Sequence, residues 1–173
     1  YTHSSVLKNS ASLIFSIAGA NTVIDGLSFE GTAVAGRAIQ NITATAKGGI
    51  IRNCIMKNFN SNADGGALNV RYETEIYNCL ITNNTAKKGG AGYFDQVIIH
   101  DCEITNNSVP TTAVKPIGST EGGGGGLFLT NAAPFSTAYN LYVSGNTASF
   151  GGGVYARSNT KVYNSIIVNN TAT

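Results

Sequence analysis

The sequence predicts an all-β fold, a right-handed parallel β-helix (solenoid) of about six coils. Three observations predict it: a word of about a dozen residues recurs along the chain, glycines precede short apolar runs, and polar positions are filled by Asn and Thr. The word is clearest at 74–86, Thr-Glu-Ile-Tyr-Asn-Cys-Leu-Ile-Thr-Asn-Asn-Thr-Ala. A repeat of this size is typical of a stacked array, because one short unit cannot bury its apolar side alone.

Five partial copies of the word allow an alignment by column. They lie at 22–34, 48–60, 97–109, 137–148 and 160–172. The alignment places six residues in one column, at spacings of 27, 25, 23, 39 and 24 residues: Leu27, Cys54, Cys79, Cys102, Leu141 and Ser165. Two apolar columns flank it: Ile24, Ile51, Ile76, Ile99, Ala138 and Val162; and Phe29, Met56, Ile81, Ile104, Val143 and Ile167.

Like residues in columns indicate parallel strands stacked about 4.8 Å apart. The right hand follows from the rule for parallel crossovers. The alternative, an antiparallel sandwich or barrel, needs hairpin turns and gives no reason for the columns to match. Residues 1–21 resemble an imperfect incoming coil.

Asn, Asp and Gly mark the expected corners. One such residue precedes the cysteine column in every unit: Gly26, Asn53, Asn78, Asp101, Asn140 and Asn164. These residue types tolerate left-handed backbone. We expect Asn83 and Asn84 to form a second corner.

Composition excludes several classes of function. Charged residues make up only 12% of the chain and the net charge is +2, too little to indicate a nucleic-acid partner. No apolar stretch is long enough to span a membrane, and residues 1–20 lack a signal-peptide pattern. We expect 1–173 to be a single β-helix segment of a longer chain, because the sequence stops inside its last repeat.

The three cysteines share one column, which favours a core ladder over a redox or metal site. Free Cys is among the most buried residue types, and no Cys-x-x-Cys word or Cys/His cluster indicates zinc. We expect neither a metal nor a cofactor.

Two kinds of word carry a resemblance to a known family. Gly-Gly-Ala-Leu at 65–68 and Gly-Gly-Ala-Gly at 89–92 resemble the Gly-Gly-Ala-hydrophobic repeat of the polymorphic outer-membrane-protein family. Its Phe-x-x-Asn motif is similar to three Ile-x-x-Asn words, which begin at Ile81, Ile104 and Ile167. The resemblance covers most of 22–173 and implies an adhesin-like protein of the bacterial surface.

A catalytic site would need paired carboxylates or an Arg constellation. The nine acidic residues are scattered. Asp95, His100 and Glu103 are weak catalytic candidates, with His100 and Glu103 expected outward on the same strand face. A solvated coil surface explains them equally simply, and Asp101 belongs to the corner column.

Tyrosines dominate the outward column two residues before the cysteine column: Asp25, Arg52, Tyr77, His100, Tyr139 and Tyr163. The column one residue after it contains Ser28, Ile55, Leu80, Glu103, Tyr142 and Ile166. We predict a binding face formed by Tyr77, His100, Tyr139, Tyr142 and Tyr163, on which a glycan stacks or a protein docks. The alternative is ordinary β-propensity, since strands favour Tyr and Ile anyway.

The spacing of 39 residues indicates an inserted loop at 109–121, where solenoids place recognition or merely tolerate extra chain. We expect a surface or secreted scaffold that binds a glycan or a host or partner protein, located extracellularly or on a bacterial cell surface. Two alternatives are a carbohydrate-active enzyme of the β-helix class and a fibre subunit that assembles end to end, because open coil ends expose strand edges.

Overall fold

The computed structural model describes residues 6–9, 12–32, 34–110, 122–130 and 132–173. These residues form a parallel β-solenoid of about six turns and contain strands but no helix. The all-β fold class predicted from the repeats is confirmed.

The strands are short, because corners interrupt the chain every few residues. In chain order they are β1 (Val6–Lys8), β2 (Leu13–Ser16), β3 (Val23–Asp25), β4 (Ser28–Glu30), β5 (Arg37–Asn41), β6 (Ile50–Arg52), β7 (Ile55–Lys57), β8 (Leu68–Tyr77), β9 (Leu80–Thr82), β10 (Gly92–His100), β11 (Glu103–Thr105), β12 (Leu127–Leu129), β13 (Thr137–Tyr139), β14 (Tyr142–Ser144), β15 (Thr147–Ala148), β16 (Val154–Ala156), β17 (Lys161–Tyr163), β18 (Ile166–Val168) and β19 (Thr171–Ala172).

Each coil contributes to two larger sheets. One has seven strands in the order β1-β4-β7-β9-β11-β14-β18. The other has two halves, β2-β5-β8-β10-β12-β16 and β3-β6-β8-β10-β13-β17, which share the long strands β8 and β10. Every pair of named strands is parallel. The alternative of an antiparallel sandwich or barrel is therefore wrong.

The strand register reproduces the predicted apolar columns. Ile51 pairs with Ile24 and Ile76, and Ile76 pairs with Ile99. The column from Phe29 through Met56 to Ile81 continues in the seven-stranded sheet. Most members of both columns are fully buried, so the core lies between the sheets. Strand β1 pairs with β4 and β2 with β5, which confirms an incoming coil before the first clear repeat.

The corner before the cysteine column has the predicted backbone. Asn53, Asn78 and Asp101 have φ of 54°, 50° and 50°. The same left-handed value recurs in Asn140, Asn164 and Gly26. A left-handed residue turns the chain between sheets, and Asn, Asp and Gly adopt it with the least strain.

The three cysteines lie in the core as free thiols. The hydrogen bond with Cys79 and burial raise the pKa of the Cys54 thiol, and the bond with Cys102 likewise raises the pKa of Cys79. A thiolate is the reactive form, so Cys54 and Cys79 are held in their unreactive form.

An asparagine ladder runs parallel to the cysteines, with Asn84, Asn107 and Asn146 buried and Asn170 partly buried at its end. Asn84 donates to Asn107 Oδ1 from both its backbone N and Nδ2, each at 2.9 Å. Asn107 donates to Asn146 in the same way, at 2.9 and 3.0 Å. The sequence placed Asn84 at a corner. Only Asn83 is the corner (φ 56°), and Asn84 points inward to link consecutive coils.

Candidate functional site: the tyrosine ladder

Four rings form one outward column, which we name the tyrosine ladder: Tyr77, His100, Tyr139 and Tyr163. Each is the last residue of its strand, on β8, β10, β13 and β17. The register pairs them in this order. The predicted column of rings is therefore present, and the corner residue that follows each ring fixes its direction.

The rings stack face to face along the solenoid. Ring centroids are 5.1 Å apart between Tyr77 and His100, 4.8 Å between His100 and Tyr139, and 5.2 Å between Tyr139 and Tyr163. Interplanar angles are only 9°, 4° and 5°. Both faces of His100 and Tyr139 are thus covered by neighbouring rings, so the ladder presents mainly ring edges and hydroxyls. A flat ring face for sugar stacking is left only at the ends of the column.

Two carboxylates hold the imidazole of His100. Its Nδ1 lies 2.6 Å from Asp101 Oδ2, and its Nε2 lies 3.2 Å from Glu75 Oε1. A neutral imidazole donates only one N–H, so both contacts are donor bonds only when the ring is an imidazolium. The bond with His100 is the main reason that the pKa of Asp101 lies below its usual value, and Asn140 adds a second bond.

Arg52 fixes the opposite end of the column. It donates from Nη1 to the hydroxyl of Tyr77 at 2.9 Å, and its Nη2 lies 2.8 Å from Asp25 Oδ2. The bond from Asn53, followed by those from Arg52, lowers the pKa of Asp25. Tyr77, the first ring of the ladder, is therefore fixed by Arg52 and Asp25, which precede it in the same outward column.

The outward column one residue after the cysteine column, which contains Tyr142 and Ile166, lies on the seven-stranded sheet. A left-handed corner separates it from the rings. Tyr142 and Ile166 are 42% and 59% exposed, and Tyr163 of the ladder is 45% exposed. Ser28 departs from the expected outward pattern, because it is buried. The predicted binding residues therefore span two sheets that meet at a corner, rather than one flat face.

The weak catalytic candidates are not gathered into one cluster. His100 ends β10 and Glu103 begins β11 in the other sheet, so the expectation that they share a strand face is wrong. The reason is the left-handed turn at Asp101 between them. Asp95 lies in the other half of its sheet, beyond the bulge at Gln96 (φ 61°), and accepts a hydrogen bond from Thr130. Besides Asp101, the carboxylate that reaches His100 is Glu75, which the sequence analysis missed although it shares the outer face of β8 with Tyr77.

A second aromatic stack, which we name the covered ladder, was also missed: Tyr93, Phe128 and Tyr155. Its centroids are 5.2 and 4.9 Å apart, with interplanar angles of 11° and 16°. Phe128 is only 1% exposed although it belongs to an outward column. Gly123 packs against it, since a Cβ there would lie 3.1 Å from Tyr155 ring atoms, and the Arg71 guanidinium lies 5.8 Å from the Tyr93 centroid.

A polar cleft of about 430 Å³ lies at the corner before the glycines. Its walls include Asp64 and Lys88, whose charged atoms are 3.9 Å apart, and the residues Pro110 and Gly122. Pro110 lies within the predicted insertion, and Gly122 directly follows it. Of the loop at 109–121, residues 111–121 lie outside the described residues.

Comparison with models of protein families, with curated proteins and with solved structures found no match. The resemblance to outer-membrane and adhesin-like proteins therefore depends on the repeat words alone. In the part of the chain that the structure describes, no helix has the length and hydropathy needed to cross a bilayer. The described His, Cys, Asp and Glu side chains form no group of three that could hold a metal ion.

Proposed function

We propose that this chain is a rigid scaffold of a secreted or surface-exposed bacterial protein, which binds a partner macromolecule through the tyrosine ladder and its flanking residues. The supporting observation is the exposure of Tyr142 and Tyr163 on the two sheets that meet at this corner, on a solenoid whose core columns are continuous. Tyrosine is enriched at binding surfaces because it offers a large, rigid contact area and a hydroxyl.

The repeat words support the location and the adhesin-like role. Gly-Gly-Ala words occur in the polymorphic outer-membrane-protein family, and here they form tight corners. A Cβ on Gly66 would lie 1.9 Å from the carbonyl oxygen of Gly90 in the next coil. In this chain the Gly-Gly-Ala words are explained by the tight corners that they form. The proposed surface role comes from the family resemblance. Antibody labelling of intact source cells and of their culture medium tests it; a protein found only inside the cells contradicts it.

Binding is tested with the double variant Tyr139→Ser/Tyr163→Ser. We expect it to lose at least about tenfold in affinity for any glycan or protein captured by the wild-type chain, because aromatic anchors at an interface are commonly worth more than 1 kcal/mol each. Phe135→Ser is the matched control, since Phe135 is an exposed aromatic residue outside the ladder. Unchanged binding by the double variant at unchanged stability contradicts the proposal.

A panel of glycans addresses the carbohydrate-active alternative. Pectin, alginate and glycosaminoglycan are incubated with the chain and examined for new reducing ends or unsaturated products. Cleavage that disappears in His100→Ala would replace the scaffold proposal with an enzyme. The contact of both His100 ring nitrogens with carboxylates argues against this outcome, because neither nitrogen is left free to take a proton from a substrate.

Self-assembly is a second candidate, favoured by the outermost strand of the seven-stranded sheet. Strand β18 pairs on one side only and exposes Ile166, Ile167 and Val168. Exposed apolar edges are templates for further strand pairing. Light scattering of the purified chain tests it: growth that Ile167→Lys abolishes supports assembly, and a monomer at high concentration contradicts it.

A further inference from the structure

We infer that the outer edge of strand β18 binds an extended protein segment that carries an apolar residue and, three positions later, an asparagine. This goes beyond the proposed binding function, because the edge of β18 is not part of the tyrosine ladder. Two observations carry it: β18 exposes a core position that is buried in the coils before it, and the asparagine ladder reaches this edge with a repeating bond pattern.

The first observation is the exposure of that core position. Ile81, Ile104 and Val143 occupy one column and are 0% exposed, whereas Ile167 in the same column is 45% exposed. The reason is that, among the described strands, β18 pairs only with β14. An apolar side chain laid over Ile167 would remove this surface from water, as each coil does for the coil before it.

The second observation is the bond pattern that joins each asparagine of the ladder to the coil before it. The Oδ1 of Asn107 accepts bonds from the backbone N and Nδ2 of Asn84, and the Nδ2 of Asn107 donates to the carbonyl oxygen of Ile81. Asn146 and Asn170 bond the preceding coils in the same way. One side chain per coil thus both accepts from its neighbour and donates to it.

Asn170 shows what this pattern offers at the edge of β18. Its Oδ1 accepts bonds from Asn146, and its Nδ2 donates to the carbonyl oxygens of Val143 and Val168. In the described part of the chain, no asparagine follows it in the ladder. By the repeat of the pattern, an incoming asparagine would accept from the backbone N of Asn170 and donate to the carbonyl oxygen of Ile167. Strand addition at a sheet edge gains affinity from such main-chain bonds and specificity from side chains.

The strand register indicates that a second copy of this chain fits the edge less well. Leu7 of β1 occupies the column of Ile167 at the opposite edge of the same sheet, and Ser10 follows three positions later. Thr32 and Phe59 take the asparagine position in the next two coils. A serine has a single hydroxyl, whereas the ladder position uses an acceptor and a donor on separate atoms. The edge of β18 therefore suits a segment that supplies the asparagine.

The test uses a fluorescently labelled synthetic peptide with the sequence of residues 160–172, which contains one Ile-x-x-Asn word and no cysteine. Its binding to the 173-residue chain is measured by fluorescence anisotropy. We expect saturable binding that Ile167→Lys in the chain weakens at least about tenfold, because the segment would have to bury the introduced charge. Leu7→Lys is the matched control and should leave the affinity unchanged, since Leu7 is also an exposed core-column residue but lies at the opposite edge. Melting by circular dichroism verifies that both variants are folded.

Variants of the peptide test the asparagine itself. Asn170→Ala in the peptide should weaken binding at least about tenfold, because it removes the side chain that accepts from the edge and donates to it. Asn169→Gly in the peptide is the control, since Asn169 lies at an exposed corner with φ of 54°, a conformation that glycine keeps. Equal losses for the two peptides overturn the inference, and so does the absence of saturable binding at millimolar peptide.

Two further outcomes would assign the edge or the peptide differently. If the chain alone associates in sedimentation and both Ile167→Lys and Leu7→Lys abolish this, a second copy occupies the edge and the inference is wrong. If Tyr77→Ser, at the far end of the tyrosine ladder, abolishes peptide binding, the peptide lies on that ladder and the inference is also wrong. Peptide binding that Tyr77→Ser leaves unchanged supports a site at β18, whatever binds the rings.

Discussion

The two aromatic ladders are built in the same way and differ in what lies over them. Each places one ring per coil on an outward column, with centroids about 5 Å apart. In the covered ladder a glycine corner packs against the rings and Phe128 is buried. In the tyrosine ladder the outermost ring, Tyr163, is 45% exposed, and the central position is His100, held by carboxylates. A stack of rings is thus not in itself a binding site; its cover decides whether it stabilises the coil or meets a partner.

The largest expected effect is the difference in how much each ladder contributes to the free energy of unfolding. We predict that Phe128→Ala lowers the free energy of unfolding by about 3–5 kcal/mol, because it removes a buried ring and leaves a cavity. Tyr139→Ala in the tyrosine ladder should cost about 1 kcal/mol, mostly ring stacking. Urea denaturation followed by circular dichroism measures both. Equal losses would show that the two ladders have the same structural role.

The next effect is the difference in stability between a buried and an exposed asparagine. Asn107→Ala should cost about 2–4 kcal/mol, because the Asn107 side chain bonds buried donors and acceptors in both neighbouring coils and these lose their partner. Its exposed neighbour Asn106 serves as the control, and Asn106→Gly keeps the left-handed corner at a cost below about 1 kcal/mol. Thermal melting of both variants provides the comparison. A larger loss for the exposed position would contradict the structural role of the buried ladder.

The smallest effect concerns acid stability at the tyrosine ladder, where His100 and Asn140 bond Asp101, and His100 also contacts Glu75. The hydrogen bond with His100 holds the folded-state pKa of Asp101 below its ordinary value of 3.8. The unfolded chain therefore takes up a proton first as the pH falls, so the stabilisation is complete above about pH 5 and is lost on acidification through the folded pKa.

Asp101→Asn should remove this part of the acid dependence, and solvent screening keeps the change below about 1 kcal/mol. Urea midpoints of the wild type and of the variant, measured from pH 6 to pH 3, check it. A steeper acid loss in Asp101→Asn than in the wild type would contradict the assigned sign.

The fold was predictable because the repeat period carries its own register. Once Cys54, Cys79 and Cys102 shared a column, the apolar columns beside it followed, and so did the outward column of rings. The backbone conformation of the corners was also predictable, because Asn and Asp that recur in one column predict a left-handed residue there. These inferences use only neighbours in sequence and the period.

The missed features depend on contacts that the period does not encode. The covered ladder was not predicted, because the glycine words that open each coil were interpreted only as corners. Tyr93, Phe128 and Tyr155 were therefore not aligned as a column. Glu75 escaped because its contact with His100 is diagonal, between adjacent coils and two positions apart. The error over Glu103 arose because one left-handed residue moves the next strand into another sheet.

The asparagine ladder has a consequence for the length of the molecule. Each asparagine of the ladder donates to the next one in the same way. Residues 80–102 make up one complete coil with one such asparagine, Asn84. Excision of these 23 residues joins Cys79 to Glu103, which reproduces the natural Cys102–Glu103 junction. We therefore expect the solenoid to be modular, so that it can be shortened or extended by whole coils. This excision removes one ring from each ladder, His100 and Tyr93.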